Sequence, residues 1–487
     1  MTYSLWRLCT VLCLALALCS GWAFAQGRED GRRGPGNHQQ ERAGGPRQPV
    51  PDVPAHQVDV ILGRPTNSSI VLSVLSASQA RVLVTYGIQG DTGRSKTETV
   101  ALQPGQPREL TLPGLRPNTR YAFSLVDAAT QKPLAEGRFH TQRSPGSSFS
   151  FTLTADSHLD QNTDTTLYQR ALANALADAP DFHIDLGDTF MTGKHESREG
   201  AARQYLAQRY YLGQLCRSAP LFLALGNHDG EEAKLLRGGA DSLAVWSNQM
   251  RKRLFPNPAP DAFYSGNTVR DPLAGQLQDY YAWQWGDALF VVLNPYWHAS
   301  GRKSENIWDS SLGEAQYQWL KRTLEGSHAR LKFVFIHQLV GGRDRQGRGG
   351  VEAAPFGEWG GKNADGSEGF KAHRPGWDAP IHQLLVRHRV SAVFHGHDHL
   401  YARQELDGIV YQEVPQPGFP RSGQPRQAEE YGYRSGVIIG GSGHLRVSVS
   451  PGKAVVDFLR ASLPGESRPG QENGSSAHSY TINAAGK

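Results

Sequence analysis

Two histidines one residue apart, His397 and His399, are the most distinctive chemical feature of this sequence. They follow a short run of apolar and β-branched residues, 390–394, which predicts a buried strand. In extended backbone, residues i and i+2 point to the same side, so the two imidazoles would be presented together. Such pairs often bind metal, although a short histidine motif alone also fits one buried and one solvent-facing histidine.

Four further predicted strands end in residues of the same chemical types. These residues are Asp156 and His158 after 149–154, Asp188 after 182–186, Asn227, His228 and Asp229 after 221–225, and His337 after 331–336. Helical patterns at 165–177 and 200–215 separate the first three strands, which predicts an α/β fold with mixed β-sheets covered by helices. Open α/β sheets bind ligands at the carboxyl ends of their strands, so we expect one shared site there.

The five blocks, in this order, resemble the motifs of the calcineurin-like metallophosphoesterase superfamily: D-x-H, G-D, G-N-H-D/E, a lone His after a strand, and G-H-x-H. The resemblance implies a dinuclear metal site in which Asp188 is shared. It assigns Asp156, His158, Asp188 and His399 to one metal, and Asp188, Asn227, His337 and His397 to the other. Carboxylate, imidazole and amide oxygen are suitable donors for two divalent or mixed-valence ions of Fe, Mn or Zn.

The resemblance also implies hydrolysis of phosphate monoesters or diesters by attack of a metal-bridging hydroxide. His228 resembles the family residue that hydrogen-bonds a phosphoryl oxygen and helps to protonate the leaving group, and we expect Asp229 to orient it. A structural histidine is the other interpretation of His228. The alternative for the whole chain is a non-catalytic binding or scaffold protein on the same fold, which should have lost a ligand, and none is lost.

Residues 56–142 are predicted to form an all-β, fibronectin type III-like sandwich, because short strand patterns alternate with Gly, Pro, Asn and Asp. The segment 115–121 resembles the tyrosine corner of such domains, in which Tyr121 would bond back to upstream backbone. A sandwich ahead of the motifs adds a resemblance to the purple acid phosphatase-like subgroup. Those enzymes have Gly in place of His158 and an iron-binding Tyr in place of Met191, so we do not expect a purple Fe(III)–Tyr site.

The Gly- and Arg-rich segment 341–350 directly follows His337 and its strand. It is either a solvated loop or a loop that closes over the site and brings Arg343, Arg345 or Arg348 to a substrate phosphate.

The two ends of the chain predict export and mobility. Residues 1–25 resemble a secretory signal peptide, with an apolar segment from Leu8 to Leu18 and an Ala-x-Ala cleavage site at 23–25. The Gly-, Arg- and Pro-rich residues 26–55 are expected to be a disordered linker, 148–460 the catalytic domain, and 461–487 a flexible tail. We therefore expect a secreted or periplasmic protein with no stable membrane span after signal removal.

Composition limits the partners. The net charge of +5 on 487 residues is too small and dispersed to predict nucleic-acid binding. A phosphoester substrate is the partner that the family resemblance implies. Three of the four cysteines lie in the signal segment, and the remaining Cys216 can form no internal disulfide.

Overall fold

A computed structural model describes residues 52–299, 306–342, 348–421, 425–466 and 469–484. The predicted signal peptide and almost all of the predicted linker lie outside these residues. Within the described ranges, no helix is long and apolar enough to cross a membrane.

The first part of the described chain is entirely β-structure. Its strands are β1 Val58–Gly63, β2 Ile70–Ser76, β3 Ala80–Ile88, β4 Ser95–Lys96, β5 Val100–Leu102, β6 Arg108–Leu112, β7 Arg120–Asp127 and β8 Pro133–His140. One sheet has the order β1-β2-β6 and the other β4-β3-β7-β8, with β5 also paired to β3. Residues such as Leu72 from the first sheet and Val84 and Phe123 from the second share one apolar core, which confirms the predicted β-sandwich.

Tyr121 makes the predicted corner contact. Its buried ring stacks on Phe139, and its hydroxyl accepts a hydrogen bond of 2.8 Å from the backbone N–H of Arg116. The contact ties the turn before β7 to the sandwich core, as a tyrosine corner does.

The second part combines strands and helices. Its strands are β9 Phe149–Thr154, β10 Phe182–Asp185, β11 Leu221–Leu223, β12 Ser265–Gly266, β13 Arg270–Asp271, β14 Gly275–Gln276, β15 Tyr281–Trp285, β16 Ala288–Val292, β17 Leu331–Phe335, β18 Ala392–His395, β19 Tyr401–Leu406, β20 Ile409–Glu413, β21 Val437–Ile439, β22 Gly443–Ser450, β23 Lys453–Arg460 and β24 Ser476–Asn483. Its helices are α1 Thr165–Ala177, α2 Arg198–Cys216, α3 Leu243–Leu254, α4 Glu314–Glu325, α5 Gly350–Ala353, α6 Gly357–Gly360, α7 Phe370–His373, α8 Ile381–Arg387 and α9 Pro425–Glu430. Four short 3-10 helices span Thr192–Lys194, Ala233–Leu235, Gly239–Asp241 and Ile307–Asp309.

Two mixed sheets pack face to face in this part. The six-stranded sheet has the order β11-β10-β9-β22-β23-β24, and the eight-stranded sheet has the order β12-β15-β16-β17-β18-β20-β19-β21. Phe151 and Phe182 of the first sheet meet Phe290 and Phe333 of the second in a shared aromatic core. Helices α1 and α2 cover the outer face of one sheet, and α4 and α8 cover the other.

Parallel pairing decides where the site forms. Strands β9, β10 and β11 run parallel to one another, and β16, β17, β18 and β20 run parallel in the other sheet. Parallel strands place their carboxyl ends at one edge, which is the edge from which open sheets bind ligands. The predicted strand-end residues therefore converge where the two sheets meet.

The carboxyl-terminal segment differs from the flexible tail expected for 461–487. Residues 476–483 form β24, which pairs antiparallel with β23 at the edge of the six-stranded sheet. Tyr480 and Ile482 pack against the shared core, whereas Thr481 and Asn483 are exposed. The prediction was wrong for this stretch because a period-2 pattern with few apolar residues was read as a polar tail.

Candidate metal centre

Each predicted ligand sits in a loop directly after a strand. Asp156 and His158 follow β9, Asp188 follows β10, Asn227 follows β11, His337 follows β17, and His397 and His399 follow β18. Backbone hydrogen bonds tie these loops together: the N–H of Asp156 donates to Gly187 (2.9 Å), that of His158 to Asp188 (3.1 Å), and that of Gly396 to His337 (3.0 Å). The ligands are thus positioned by a rigid assembly of strand ends.

The structure brings the buried histidines and carboxylates into two groups. One is Asp156, His158 and His399, and the other is Asp188, His337 and His397; within each group the ligand atoms all lie within 4.8 Å of one another. These are the two sets that the sequence motifs separate between two metals.

Asp188 lies between the groups, as the predicted bridge requires. Its Oδ2 is 3.6 Å from His158 Nε2 and 3.5 Å from His337 Nε2, so one oxygen faces both groups. Its Oδ1 accepts a hydrogen bond of 2.7 Å from the backbone N–H of His228. Gly226 permits this close approach, because a Cβ there would lie 2.2 Å from Asp188 Oδ1.

Asn227 completes the second group. Its Oδ1 lies 3.2 Å from His337 Nε2, so the amide oxygen and the imidazole face the same point. His337 Nδ1 is 3.0 Å from the carbonyl oxygen of Leu186. Because a carbonyl oxygen only accepts, this hydrogen bond requires a proton on Nδ1. An acceptor on the far side of a histidine ring keeps the proton on that nitrogen and leaves the other nitrogen available to a metal.

Two of the converging ligand atoms have no hydrogen-bond partner among the described residues. Asp156 Oδ1 and His158 Nε2 are fully buried and make no hydrogen bond with any described residue. Buried polar atoms are almost always hydrogen-bonded, so such atoms need another partner. The residues therefore fit a pair of metal ions, because they are of the right donor types and two of their buried polar atoms lack a hydrogen bond.

The two buried carboxylates of the site, Asp156 and Asp188, need positive charge nearby to stay ionised. Burial alone would raise the pKa of Asp188, but the neighbouring imidazole of His337 holds it well below its usual range. Burial likewise opposes ionisation of Asp156, whose pKa is kept well below its usual range by His399 and His337. Two buried carboxylates so close together need cationic partners to stay ionised.

Unusual backbone conformations cluster at the ligands. The φ angles of Asp156, His158, Asp188, His397 and His399 are +56°, +49°, +55°, +82° and +57°. A left-handed conformation costs about 1–2 kcal/mol for a residue other than glycine. Strain of this kind persists only where the surroundings over-determine it, and it gathers at functional sites.

His228 lies at the open side of the centre. Its side chain is 15% exposed, and its Nε2 is 4.0 Å from Asp188 Oδ2. Burial lowers the pKa of His228 to about 3, which favours a neutral ring that still has one N–H to donate.

Asp229 has different partners from those expected. Its Oδ1 accepts from the backbone N–H groups of Thr189 (2.8 Å) and Phe190 (2.7 Å), and its Oδ2 from those of Asp188 (3.1 Å) and Gly226 (2.8 Å). Burial and the Asp188 carboxylate raise the pKa of Asp229 to about 7. Asp229 therefore holds the loop that carries Asp188, in place of the contact to the His228 ring that we expected.

The arginine-rich segment is described only in part. Arg343 and Arg345 lie outside the described residues, whereas Arg348 is 3% exposed and its Nε lies 2.9 Å from Asp398 Oδ1. Arg348 is thus engaged inside the protein and does not reach for a substrate in this conformation.

Tyr296 is a residue at the site that the sequence motifs did not indicate. Its ring centroid is 6.1 Å from that of His337, and its hydroxyl is buried without a hydrogen-bond partner among the described residues. Its backbone is fixed, because its N–H donates to Asn294 Oδ1 (3.0 Å) and its carbonyl accepts from Ala233 (3.2 Å). Its place after β16 was the available signal, since the other site residues also follow strands.

Metal content gives a direct check on the shared carboxylate. We expect about two metal ions per chain for the reloaded protein, about one for His158→Ala, and weakened binding at both positions for Asp188→Ala. Mass spectrometry of the native protein, or elemental analysis after gel filtration, measures the ratio. Asp91→Asn, an exposed carboxylate of the sandwich, is the control and should keep both ions. Full occupancy in Asp188→Ala would contradict the shared site.

Comparison with known proteins agrees with this geometry. The chain resembles the solved structure of PhoD, with a TM-score of 0.63 and 15% identity over 88% of this chain and 90% of that one. It also resembles purple acid phosphatase PPD1 from yellow lupin (Lupinus luteus) seeds, with a TM-score of 0.59 and 15% identity over 88% of this chain and 74% of that one. At this identity the likeness establishes the fold.

A search of curated proteins gave no sequence match. A family model described as calcineurin-like phosphoesterase matches residues 149–401, which is just over half of the 487 residues and includes every predicted ligand. The strand-end motifs, the paired ligand groups and this match together establish that the chain belongs to the calcineurin-like phosphoesterase family.

Proposed function

We propose that this protein is an exported, metal-dependent phosphoesterase that hydrolyses phosphate monoesters or diesters. The observation that carries the proposal is the position of Asp188, whose Oδ2 faces His158 of one ligand group and His337 of the other at 3.6 and 3.5 Å. A carboxylate shared between two groups of ligands is the arrangement found in two-metal hydrolases.

Metal ions bound here would supply a nucleophile from water near neutral pH and neutralise the charge that develops on the phosphoryl oxygens. The chain itself contributes the groups that orient the ester. His228, half-buried at the open side of the centre, donates a hydrogen bond to a phosphoryl or leaving-group oxygen. The Tyr296 hydroxyl, which has no hydrogen-bond partner among the described residues, is the second donor that we propose for the ester.

The completeness of the ligand set favours an enzyme over the non-catalytic scaffold. All seven proposed ligands lie at the centre, and five of them have left-handed backbone conformations. A scaffold has no need for buried carboxylates and strained backbone at one point, because both lower stability.

Ester hydrolysis should depend on the loaded metal. The mature protein, stripped by chelator and reloaded separately with Mn, Fe or Zn, is assayed with an aryl phosphate monoester and the matching bis-aryl diester. We expect turnover to return with metal and to fall by at least about 10³-fold in Asp188→Ala, because the shared ligand holds both ions. The ratio of the two rates assigns the substrate class.

Asp91→Asn, with its exposed carboxylate far from the strand ends in sequence, should hydrolyse both esters at the rate of the unaltered protein. Fully reloaded, folded protein that turns over neither ester with any metal would count against the phosphoesterase and in favour of the scaffold.

His228 should matter most where the leaving group is poor. We expect His228→Asn to slow hydrolysis of esters of weakly acidic alcohols by about 10²-fold or more, and to slow esters of acidic phenols much less. A series of aryl and alkyl phosphates with leaving groups of increasing pKa measures the slope. His328→Asn, in the exposed loop before β17, is the control. An equal loss across the series, or loss of metal, would assign His228 a structural role.

Export is proposed from the amino-terminal sequence. Cleavage after Ala25 would leave Gln26 as the first residue of the mature protein, and expression in a bacterial host followed by fractionation should recover that form outside the cytoplasm. Amino-terminal sequencing or intact mass identifies it. Uncleaved protein that remains in the cytoplasm would refute the export proposal without affecting the chemistry.

A further inference from the structure

A buried network surrounds Asp398, the residue between the two histidines of the G-H-x-H motif. Asp398 Oδ1 lies 2.9 Å from Arg348 Nε, and Oδ2 accepts a hydrogen bond of 2.7 Å from the Tyr433 hydroxyl. Its backbone N–H donates to Glu413 Oε1 (3.0 Å), and its carbonyl accepts from Gln427 Nε2 (3.1 Å). Asp398 therefore makes one ion-pair contact and three hydrogen bonds, and its partners come from three segments of the chain.

Arg348, which contacts Asp398, makes several further contacts inside the protein. The guanidinium packs 4.2 Å from the centre of the Tyr431 ring and donates a hydrogen bond of 3.3 Å to the carbonyl of His397. The backbone N–H of Arg348 donates to the carbonyl of Tyr431 at 3.2 Å. With 3% exposure, Arg348 is part of the interior, and one guanidinium contacts both Asp398 and a metal-ligand residue.

The residue after Arg348 also fits this network closely. A Cβ at Gly349 would lie 2.6 Å from Asp398 Oδ2 and 2.6 Å from the Tyr433 hydroxyl. Since real Cβ atoms do not approach other atoms so closely, only glycine lets the chain pass there.

The backbone on either side of Asp398 needs such support. His397 and His399 have φ angles of +82° and +57°, and each left-handed residue costs about 1–2 kcal/mol. Without neighbours that fix the loop, the chain would relax toward ordinary conformations and move the two imidazoles. The backbone N–H of His397 is held by Asp156 Oδ2 at 2.9 Å, but Asp398 is the residue that links the two strained positions.

We propose that Arg348 is a positioning residue that acts through Asp398 to hold His397 and His399 in their metal-binding conformation. The inference deepens the proposed function, since it rests on the same metal centre, but it concerns metal affinity and does not require ester hydrolysis. It also assigns the only described arginine of the 343–348 stretch to the ligands and not to the substrate phosphate.

The test measures metal affinity by competition with a chelating dye, alongside unfolding of the metal-free protein by urea. We expect Arg348→Met and Asp398→Asn each to weaken metal binding by about 10–100-fold, the usual effect of removing a group that orients a ligand. The double variant should bind about as weakly as either single variant, because both changes break one unit. Arg348→Lys should fall between, since a Lys ammonium can meet Asp398 but cannot also span to the His397 carbonyl as a planar fork does.

Arg374 provides a matched control elsewhere in the protein. Its Nε donates to buried Glu358 at 2.7 Å, its Nη2 donates to the carbonyl of Trp308 at 2.9 Å, and it lies 5.7 Å from the Trp308 ring. Arg374→Met thus breaks a similar charge pair, carbonyl contact and ring contact. It should lower the urea midpoint of the metal-free protein while leaving metal affinity unchanged.

Two results would overturn the inference: unchanged metal affinity in Arg348→Met, or an equal loss of affinity in Arg374→Met. Because metal binding is read directly, protein that binds metal as expected but hydrolyses no ester would leave this inference standing. That outcome would count against the proposed function alone.

Discussion

The buried carboxylate of Asp188 imposes the main constraint on this fold, because its charge must be compensated inside the protein. It lies in an interior where an unpaired charge is very costly, yet its pKa is held well below the ordinary range by the imidazoles around it. One of its oxygens is taken by the backbone N–H of His228, and the other faces His158 and His337. Two cations, one held by each ligand group with Asp188 between them, would satisfy both this carboxylate and the buried atoms beside it that have no hydrogen-bond partner among the described residues.

The strands, the core between the sheets and two buried carboxylates together hold the ligands around Asp188. The parallel strands of two facing sheets deliver the ligand loops to one edge, and an aromatic core between the sheets keeps that edge rigid. Asp229 accepts hydrogen bonds from four backbone N–H groups and fixes the Asp188 loop, while Asp398 fixes the histidine loop through contacts to three other segments. Two of the ligand loops are thus held by a carboxylate that is not itself a proposed ligand, which supports the strained backbone of Asp188, His397 and His399.

Much of the fold and the ligand set could be predicted from the sequence because local signals agreed. Helix α1 begins and ends at the predicted residues, since Asp164 caps its amino end and its apolar residues follow the helical period. Strand β17 is buried on both faces, which gives its apolar run. The strand-end motifs also predicted that the proposed ligands lie in loops at one edge, because strand direction fixes the edge of the sheet.

What could not be predicted depends on contacts between residues far apart in the chain. The partners of Asp229 are backbone amides whose direction is set only by the folded loops. Arg348 and Asp398 pair across about fifty residues, and Tyr296 reaches the site from a strand whose end carries no known motif. Strand β24 was missed because an edge strand with one apolar face has a weak period-2 pattern.

Anomalous X-ray diffraction from crystals of the manganese-loaded protein tests the shared metal centre most directly. We expect two peaks about 3.5–4 Å apart, one beside Asp156, His158 and His399 and one beside Asn227, His337 and His397, with Asp188 between them. A single peak in fully loaded crystals, or two peaks too far apart for the Asp188 carboxylate to bridge, would contradict it.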